Sequence, residues 1–298
     1  MRESTESKIA AAKTALTAGL RALVTSDDWT AILRAMAQRG RLSVGRLSFR
    51  NQILVMVQAG PEAAQVATYP TWQRMRRQVR AGEKAIWILQ PRVYRRTVER
   101  NNDEPETVTG LAFRPLAVFA LSQTDGEPLP ESPVPAVTAP EIFEGSVERL
   151  RAVALSLEGS PVAAVTLRPR EAGDLPGCAG WYVPATREIV VLEGERSRAH
   201  MFKTLVHEVA HALLHGAGER HARPVEEVEA ESVAYVVCHA LGLDTAGFSL
   251  PYVATWADDK DPAAAVLRSG DRIARAAGRI LEALGVGAEE AEEGRAAA

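Results

Sequence analysis

Between Asp125 and Pro140 the chain places Gly126, Pro128, Pro130, Pro133, Pro135 and Pro140, with no hydrophobic period running through them. Each proline removes a backbone donor and fixes φ, so such a stretch suits neither a helix interior nor the middle of a sheet. It reads as an extended linker over 126–140. The 298 residues must then build their cores on either side, and both 1–125 and 141–284 are long enough for a domain. The Ala- and Glu-rich 285–298 is left as a disordered tail.

On the first side, a helical period runs over 9–37, with Ser26-Asp27-Asp28 as a capping cluster ahead of Trp29, Ile32, Leu33 and Met36. A second helix is expected over 48–58, where Asn51 and Gln52 sit among Phe49, Ile53, Leu54 and Val57, and a short basic one over 71–79. Strand-like runs follow at 85–89, 92–98 and 116–121, two of them separated by the turn-rich Asn101-Asn102-Asp103-Glu104-Pro105. On the second side a helix at 142–157 precedes strands at 162–167 and 188–192, then helices at 197–215, 225–241 and 262–284. This is an α+β pattern in two domains.

The sharpest chemical signal is His207-Glu208-Val209-Ala210-His211, inside a helical run that Ser197 can cap and Gly216 can end. Side chains four apart on a helix lie roughly 5 to 6 Å from each other on one face, a spacing that suits two imidazoles on one zinc. Phe202, Leu205, Val206, Val209 and Leu213 form the apolar back of this helix, and His200, Thr204, His207, Glu208, His211 and His215 share its other face. Glu208 is rotated by about 100° from His207, beside the metal rather than on it, as a general base should be. His200 and His215 read as supporting or surface residues.

Catalytic zinc takes a third protein ligand. Pro224 opens a further helix that carries Glu226, Glu227, Glu229 and Glu231. Glu227 is the expected third ligand, with Glu226 and Glu231 as the competing choices, and Glu231 one turn on would instead orient a ligating imidazole. Glu229 falls off that stripe. The strand at 188–192 offers an edge to an extended peptide, or else is a plain core strand. Tyr182 is a candidate oxyanion donor or a packing residue.

Charge is uneven: the net −3 hides a basic 74–100 and an acidic 219–231. Arg74, Arg76, Arg77, Arg80, Lys84, Arg92, Arg95, Arg96 and Arg100 are interleaved with Trp72, Trp87 and Tyr94. On their own these residues read first as a solvated basic face over a core holding both tryptophans. No apolar run approaches the roughly 18 residues of a membrane span, and the charged start lacks a signal-peptide core. A soluble, cytoplasmic protein with no membrane partner is expected. Cys178 and Cys238 are too few for a disulfide framework and read as buried thiols.

The run His207 to His215, followed by Glu227, Ala230, Glu231 and Ala234, resembles the peptidase domain of the ImmA/IrrE metallopeptidases and the related domain of ArdC-like antirestriction proteins. In the first half, Ser48-Phe49-Arg50-Asn51-Gln52, Thr71-Trp72, Gly82-Glu83-Lys84-Ala85-Ile86-Trp87-Ile88 and Val118-Phe119-Ala120-Leu121-Ser122-Gln123-Thr124-Asp125-Gly126 resemble the single-stranded-DNA-binding domain of the ArdC family. Tyr252-Val253-Ala254-Thr255-Trp256 resembles that family's tail helices. Ala120 departs from a usually acidic position, and Gly216 stands where a longer loop usually follows the helix.

The resemblance implies an N-terminal α+β single-stranded-DNA-binding domain over 1–125 and a C-terminal zincin-like helical domain with a small sheet over 141–284. It matches His207 and His211 to the histidine ligands of zinc, Glu208 to the catalytic position and Glu227 to the third ligand. It turns the basic stretch towards single-stranded DNA, with Arg50, Trp72, Arg74, Arg76, Arg77, Arg80 and Lys84 as the contact candidates. The functional expectation is a DNA-binding zinc metallopeptidase acting on a regulatory or DNA-associated protein such as a transcriptional repressor. The alternative is an antirestriction protein that protects DNA with a non-proteolytic metal site. A metal-dependent nuclease is the weaker third reading, because few carboxylates are on hand for two metals.

Overall fold

The computed structural model describes residues 4–22, 26–41, 47–60, 63, 65–98, 106–129, 145–157, 161–174, 176–194, 197–216, 221–243 and 261–286. The proline-rich 130–140, the turn at 101–105, the 252–256 stretch, Arg100 and the tail from 287 lie outside them. The architecture is α+β. In chain order the helices are α1 (Thr5–Ala22), α2 (Ser26–Arg41), α3 (Phe49–Ala59), α4 (Tyr69–Arg74), α5 (Ser146–Ser156), α6 (Arg198–His215), α7 (Arg223–Ala240) and α8 (Pro262–Ala283). The strands are β1 (Val66–Ala67), β2 (Arg77–Val79), β3 (Ile86–Val98), β4 (Glu106–Ala120), β5 (Thr124–Gly126), β6 (Ala164–Pro169), β7 (Gly180–Val183) and β8 (Glu188–Glu193). Among the described residues, no helix is long and apolar enough to cross a membrane.

The chain divides into two compact units, one of Met1–Gly19 with Arg50–Pro128, the other of Leu20–Phe49 with Leu129–Ala298. The change of unit at Pro128 falls at the proline-rich stretch. The segment 20–49, however, belongs with the second unit. Its reason is α2: Trp29, Ile32 and Leu33 are buried, the Trp29 indole N–H donates to Ser232 Oγ of α7 at 3.1 Å, and its ring meets Phe49 edge-on.

In the first unit, β3 and β4 form one long antiparallel hairpin, in register from Ile86 opposite Val118 to Val98 opposite Glu106. The two strand-like runs at 85–89 and 92–98 are thus a single strand. Pro91 is tolerated because β3 pairs only with β4, so its missing donor breaks no second ladder. The other edge of β3 is covered by α3. Asn51 gives its amide N–H to the Leu89 carbonyl at 3.0 Å and accepts the Leu89 N–H at 2.9 Å, and Gln58 repeats this with Trp87. Two amide side chains thereby stand in for a missing strand. Ala12 of α1, Leu54 and Leu89 pack together beneath, and Lys8 sits 3.8 Å over the Trp87 ring.

The helix expected over 71–79 ends at Arg74. Arg76 turns to φ 54, and Arg77–Val79 then pair with Thr124–Gly126 as β2 and β5. A left-handed residue cannot continue a helix.

The second unit holds the three-stranded sheet β6-β8-β7. β8 runs parallel to β6 and antiparallel to β7. Being central, β8 has no free edge, so of the two readings the plain core strand holds and the peptide-receiving edge does not. Behind the sheet lies α6, whose Phe202, Leu205, Val206 and Val209 are buried; the helix packs on β7 and β8 and against α5, α7 and α8. β7 lies flush on α6: a Cβ on Gly180 would meet Thr204 Cγ2 at 2.8 Å and the Val190 carbonyl at 2.7 Å.

Candidate metal centre

Helix α6 begins where Ser197 accepts the His200 N–H and ends at Gly216, as the sequence predicts. Along it, His207 and His211 turn their rings together, with Nε2 atoms 3.0 Å apart. From α7, Glu227 Oε2 closes the group at 3.5 Å from His207 Nε2 and 3.7 Å from His211 Nε2. Two ligands about 2 Å from a tetrahedral ion lie roughly 3.3 Å apart, so this triangle has the dimensions of three corners of a zinc site. Two imidazoles and one carboxylate are also a donor set that zinc takes when a position is left for water. Among the described residues these three form the one group of His, Cys, Asp or Glu able to hold a metal. Glu226 is drawn aside, accepting the His221 backbone N–H at 3.3 Å.

The rings are held from behind. Glu231 Oε2 lies 3.0 Å from His207 Nδ1, and Lys203 closes on the other oxygen of Glu231. Glu231 therefore sits where the sequence expects an orienting carboxylate. Burial opposes a charge on His207, but hydrogen bonds to Glu227 and Glu231 lift its pKa to about 9. Those to His207 and His211 hold the Glu227 carboxyl far below its ordinary range.

Glu208 is buried, with 7% of its surface exposed, and lines the same face. Burial pushes its carboxyl up; His207 and His211 pull the other way, Glu227 adds to the rise, and the Tyr182 backbone N–H donates to it and lowers it. The part of Tyr182 that reaches the centre is thus its main chain. Its hydroxyl donates to the Pro161 carbonyl at 3.4 Å.

One group escapes the sequence reading. Glu229 is fully buried, bonded to His215 Nε2 at 2.9 Å and to both ends by Arg272 of α8. Burial works against its charge, yet His215, Arg272 and Ser269 hold its carboxyl below the ordinary range. A usable signal lies in α8, where Arg272 interrupts the buried stripe Ser269, Ile273, Ala276; a cation there requires a buried anion.

The basic candidates of the first unit fall into two sets. Arg77 is tied to Thr124, Gly126 and Glu127, and Arg80 to Glu83, Asp125 and the Ser122 carbonyl, so both staple β2 to β5. Trp72, 0% exposed, gives its N–H to the Phe119 carbonyl; its face is not available to a base, which corrects its assignment as a DNA contact. Arg74, Arg76 and Lys84 are exposed, Arg74 donating to Thr71 Oγ1 and Arg76 pairing with Glu127 at the surface, and Arg50 is half-buried. On the hairpin, Arg92, Tyr94 and Arg95 are exposed too, and Tyr94, 48% exposed, lays its ring across Gly110, where a Cβ would meet it at 2.4 Å. Ala120 is buried at the end of β4, its N–H held by the Gln123 side chain.

No family model matches the chain. It is 33% identical over 90 residues to the uncharacterized protein pXO2-81 of Bacillus anthracis, a stretch that is 29% of this chain and 15% of that protein. The chain therefore matches only a small part of that relative. Among solved structures it is similar to the metal-free antirestriction protein ArdC from the R388 plasmid, with a TM-score of 0.52 and 20% identity over 84% of this chain and 90% of that one. The fold is that of ArdC. The Mn(II)-bound ArdC structure gives a TM-score of 0.48 at 22% identity, over 84% and 91%. The ArdC likeness extends over most of this chain, so it takes in both compact units.

Proposed function

We propose that this chain is a cytoplasmic, metal-dependent protein of the ArdC antirestriction type, binding single-stranded DNA through the compact unit of Met1–Gly19 with Arg50–Pro128 and zinc through His207, His211 and Glu227 in the other unit. The observation that carries the reading is the convergence of His207 Nε2, His211 Nε2 and Glu227 Oε2 within 3.0 to 3.7 Å, in a chain with the ArdC fold. Imidazole donors favour zinc over the harder manganese. Bound there, zinc would supply Lewis acidity, polarising a carbonyl or acidifying a water. The chain's own residues then do the following: His207 and His211 offer lone pairs, Glu231 and Lys203 hold the first ring in place, and Glu208 stands beside them as a carboxylate able to take up a proton and give it back. On the DNA side, exposed Arg74, Arg76, Lys84, Arg92 and Arg95 supply charge for phosphates, and the open face of Tyr94 supplies a stacking platform. Arg50 joins them as a flanking cation.

Glu208 favours a second, finer reading, peptide-bond hydrolysis in a DNA-associated or regulatory protein such as a repressor. A buried carboxyl with a raised pKa is suited to taking a proton from water and returning it to a leaving amine. The substitution Glu208→Gln separates the two. It should leave zinc and DNA binding as in the wild type under both readings. Loss of a cellular cleavage product and retention of protection against restriction would favour a peptidase whose cleavage is separate from protection. Unchanged protection without any cleavage product in the wild type would sink hydrolysis. A wild type that neither binds zinc nor binds single-stranded oligonucleotide would sink the proposal as a whole.

A further inference from the structure

We infer that His215, Glu229 and Arg272 form an orienting relay that fixes which nitrogen of His211 faces the metal, so that these three are positioning residues of the centre. The inference rests on the proposal that His207, His211 and Glu227 are its ligands. His211 turns Nε2 towards His207 Nε2 at 3.0 Å, and its Nδ1 lies 3.1 Å from His215 Nδ1. Two neutral imidazoles that meet nitrogen to nitrogen share one hydrogen, so one of them donates and the other accepts.

The next link decides which. His215 Nε2 is 2.9 Å from Glu229 Oε2, and an ionised carboxylate can only accept. The proton of His215 is therefore on Nε2, its Nδ1 accepts, and His211 donates from Nδ1. That leaves His211 Nε2 with a free lone pair aimed at the cluster, which is the tautomer a ligand requires.

Glu229 can play this part because it is anchored. Arg272 Nη2 lies 2.5 and 2.6 Å from its two oxygens, the Arg272 Nη1 reaches His221 Nε2, and Glu229 is 0% exposed. Buried ion pairs seldom repay their desolvation, and apolar residues of similar volume often serve stability as well or better. A pair kept beneath a metal ligand is explained by what it orients. The two histidine ligands are then backed alike, His207 directly by Glu231 and Lys203, His211 through one intervening imidazole. Residues from α6, α7 and α8 all take part, so the last helix contributes to the centre as well as to the core.

The test is metal affinity and the visible spectrum of the cobalt-loaded protein, measured with Zn²⁺ and Co²⁺ alone on the full chain for wild type, His215→Ala, His215→Asn and Glu229→Gln. Circular dichroism of each metal-free form reports folding separately. His215→Ala should lose about 10- to 100-fold in affinity and shift the cobalt bands. His215→Asn, whose Oδ1 takes the place of the accepting Nδ1, should restore both to within a few-fold of wild type. Glu229→Gln should fall between them. Wild-type affinity and spectrum in a folded His215→Ala would overturn the relay, as would an Asn variant no better than Ala. A wild type that binds neither metal would overturn the ligand assignment and the relay together, an outcome distinct from unchanged binding in the variants.

Discussion

At the scale of single residues, carboxylates on α7 and α6 divide the work by what each can reach. Glu227 and Glu226 are neighbours in sequence, yet one faces two imidazoles and the other a backbone N–H. Glu227→Ala should therefore abolish stoichiometric zinc at micromolar protein, and Glu226→Ala should keep it, as read by elemental analysis after gel filtration. Glu229 gives a pH signature. Its folded pKa lies below the ordinary carboxylate value of about 4.3, so its stabilising contribution is present above that value and fades as pH falls through the folded one. Metal-free Glu229→Gln should be less stable than wild type at pH 7, and the gap should narrow below about pH 4 in denaturant melts. A constant gap across that range would contradict the assignment. His207, Glu208 and His211 were legible in the sequence because the motif is local and a helix fixes its geometry. The place of Glu229 was not, since the angle of a residue on its own helix says nothing about a partner arriving from α8.

Among the elements, the same contrast holds between local and non-local pairing. α6, α7 and α8 follow from a 3.6-residue period with Ser197, Pro224 and Asp261 at their starts. The short strands β1, β2, β5 and β7 carry too little period to announce themselves; β2 exists because β5 pairs with it, and the helical look of 71–79 yields to that pairing. The register of β3 with β4 likewise depends on a partner strand. Trp72 and Tyr94 illustrate the functional consequence. Trp72→Ala should cost about 3 to 5 kcal/mol in chemical denaturation, because a fully buried indole is removed. Tyr94→Ala should leave that midpoint nearly unchanged and weaken single-stranded oligonucleotide binding by about 1 to 3 kcal/mol in fluorescence anisotropy. Reversal of the two effects would place the stacking surface elsewhere.

On the scale of the whole molecule, composition and the run of prolines foretell two bodies but not their exchange of chain. Leu20–Phe49 belongs with the second unit because α2 carries an apolar face that α7 is able to bury, and a sequence can reveal such a face without revealing what covers it. The proposal joins a metal chemistry and a DNA surface on one chain, and the metal centre is the part most directly measured. X-ray absorption at the zinc edge of the chelator-stripped, zinc-reloaded full chain is the direct test. One zinc per chain is expected, with two imidazole nitrogens at about 2.0 to 2.1 Å and oxygen completing the shell. A shell without histidine, a thiolate scatterer from Cys178 or Cys238, or no retained zinc would contradict the assignment of His207, His211 and Glu227 as ligands.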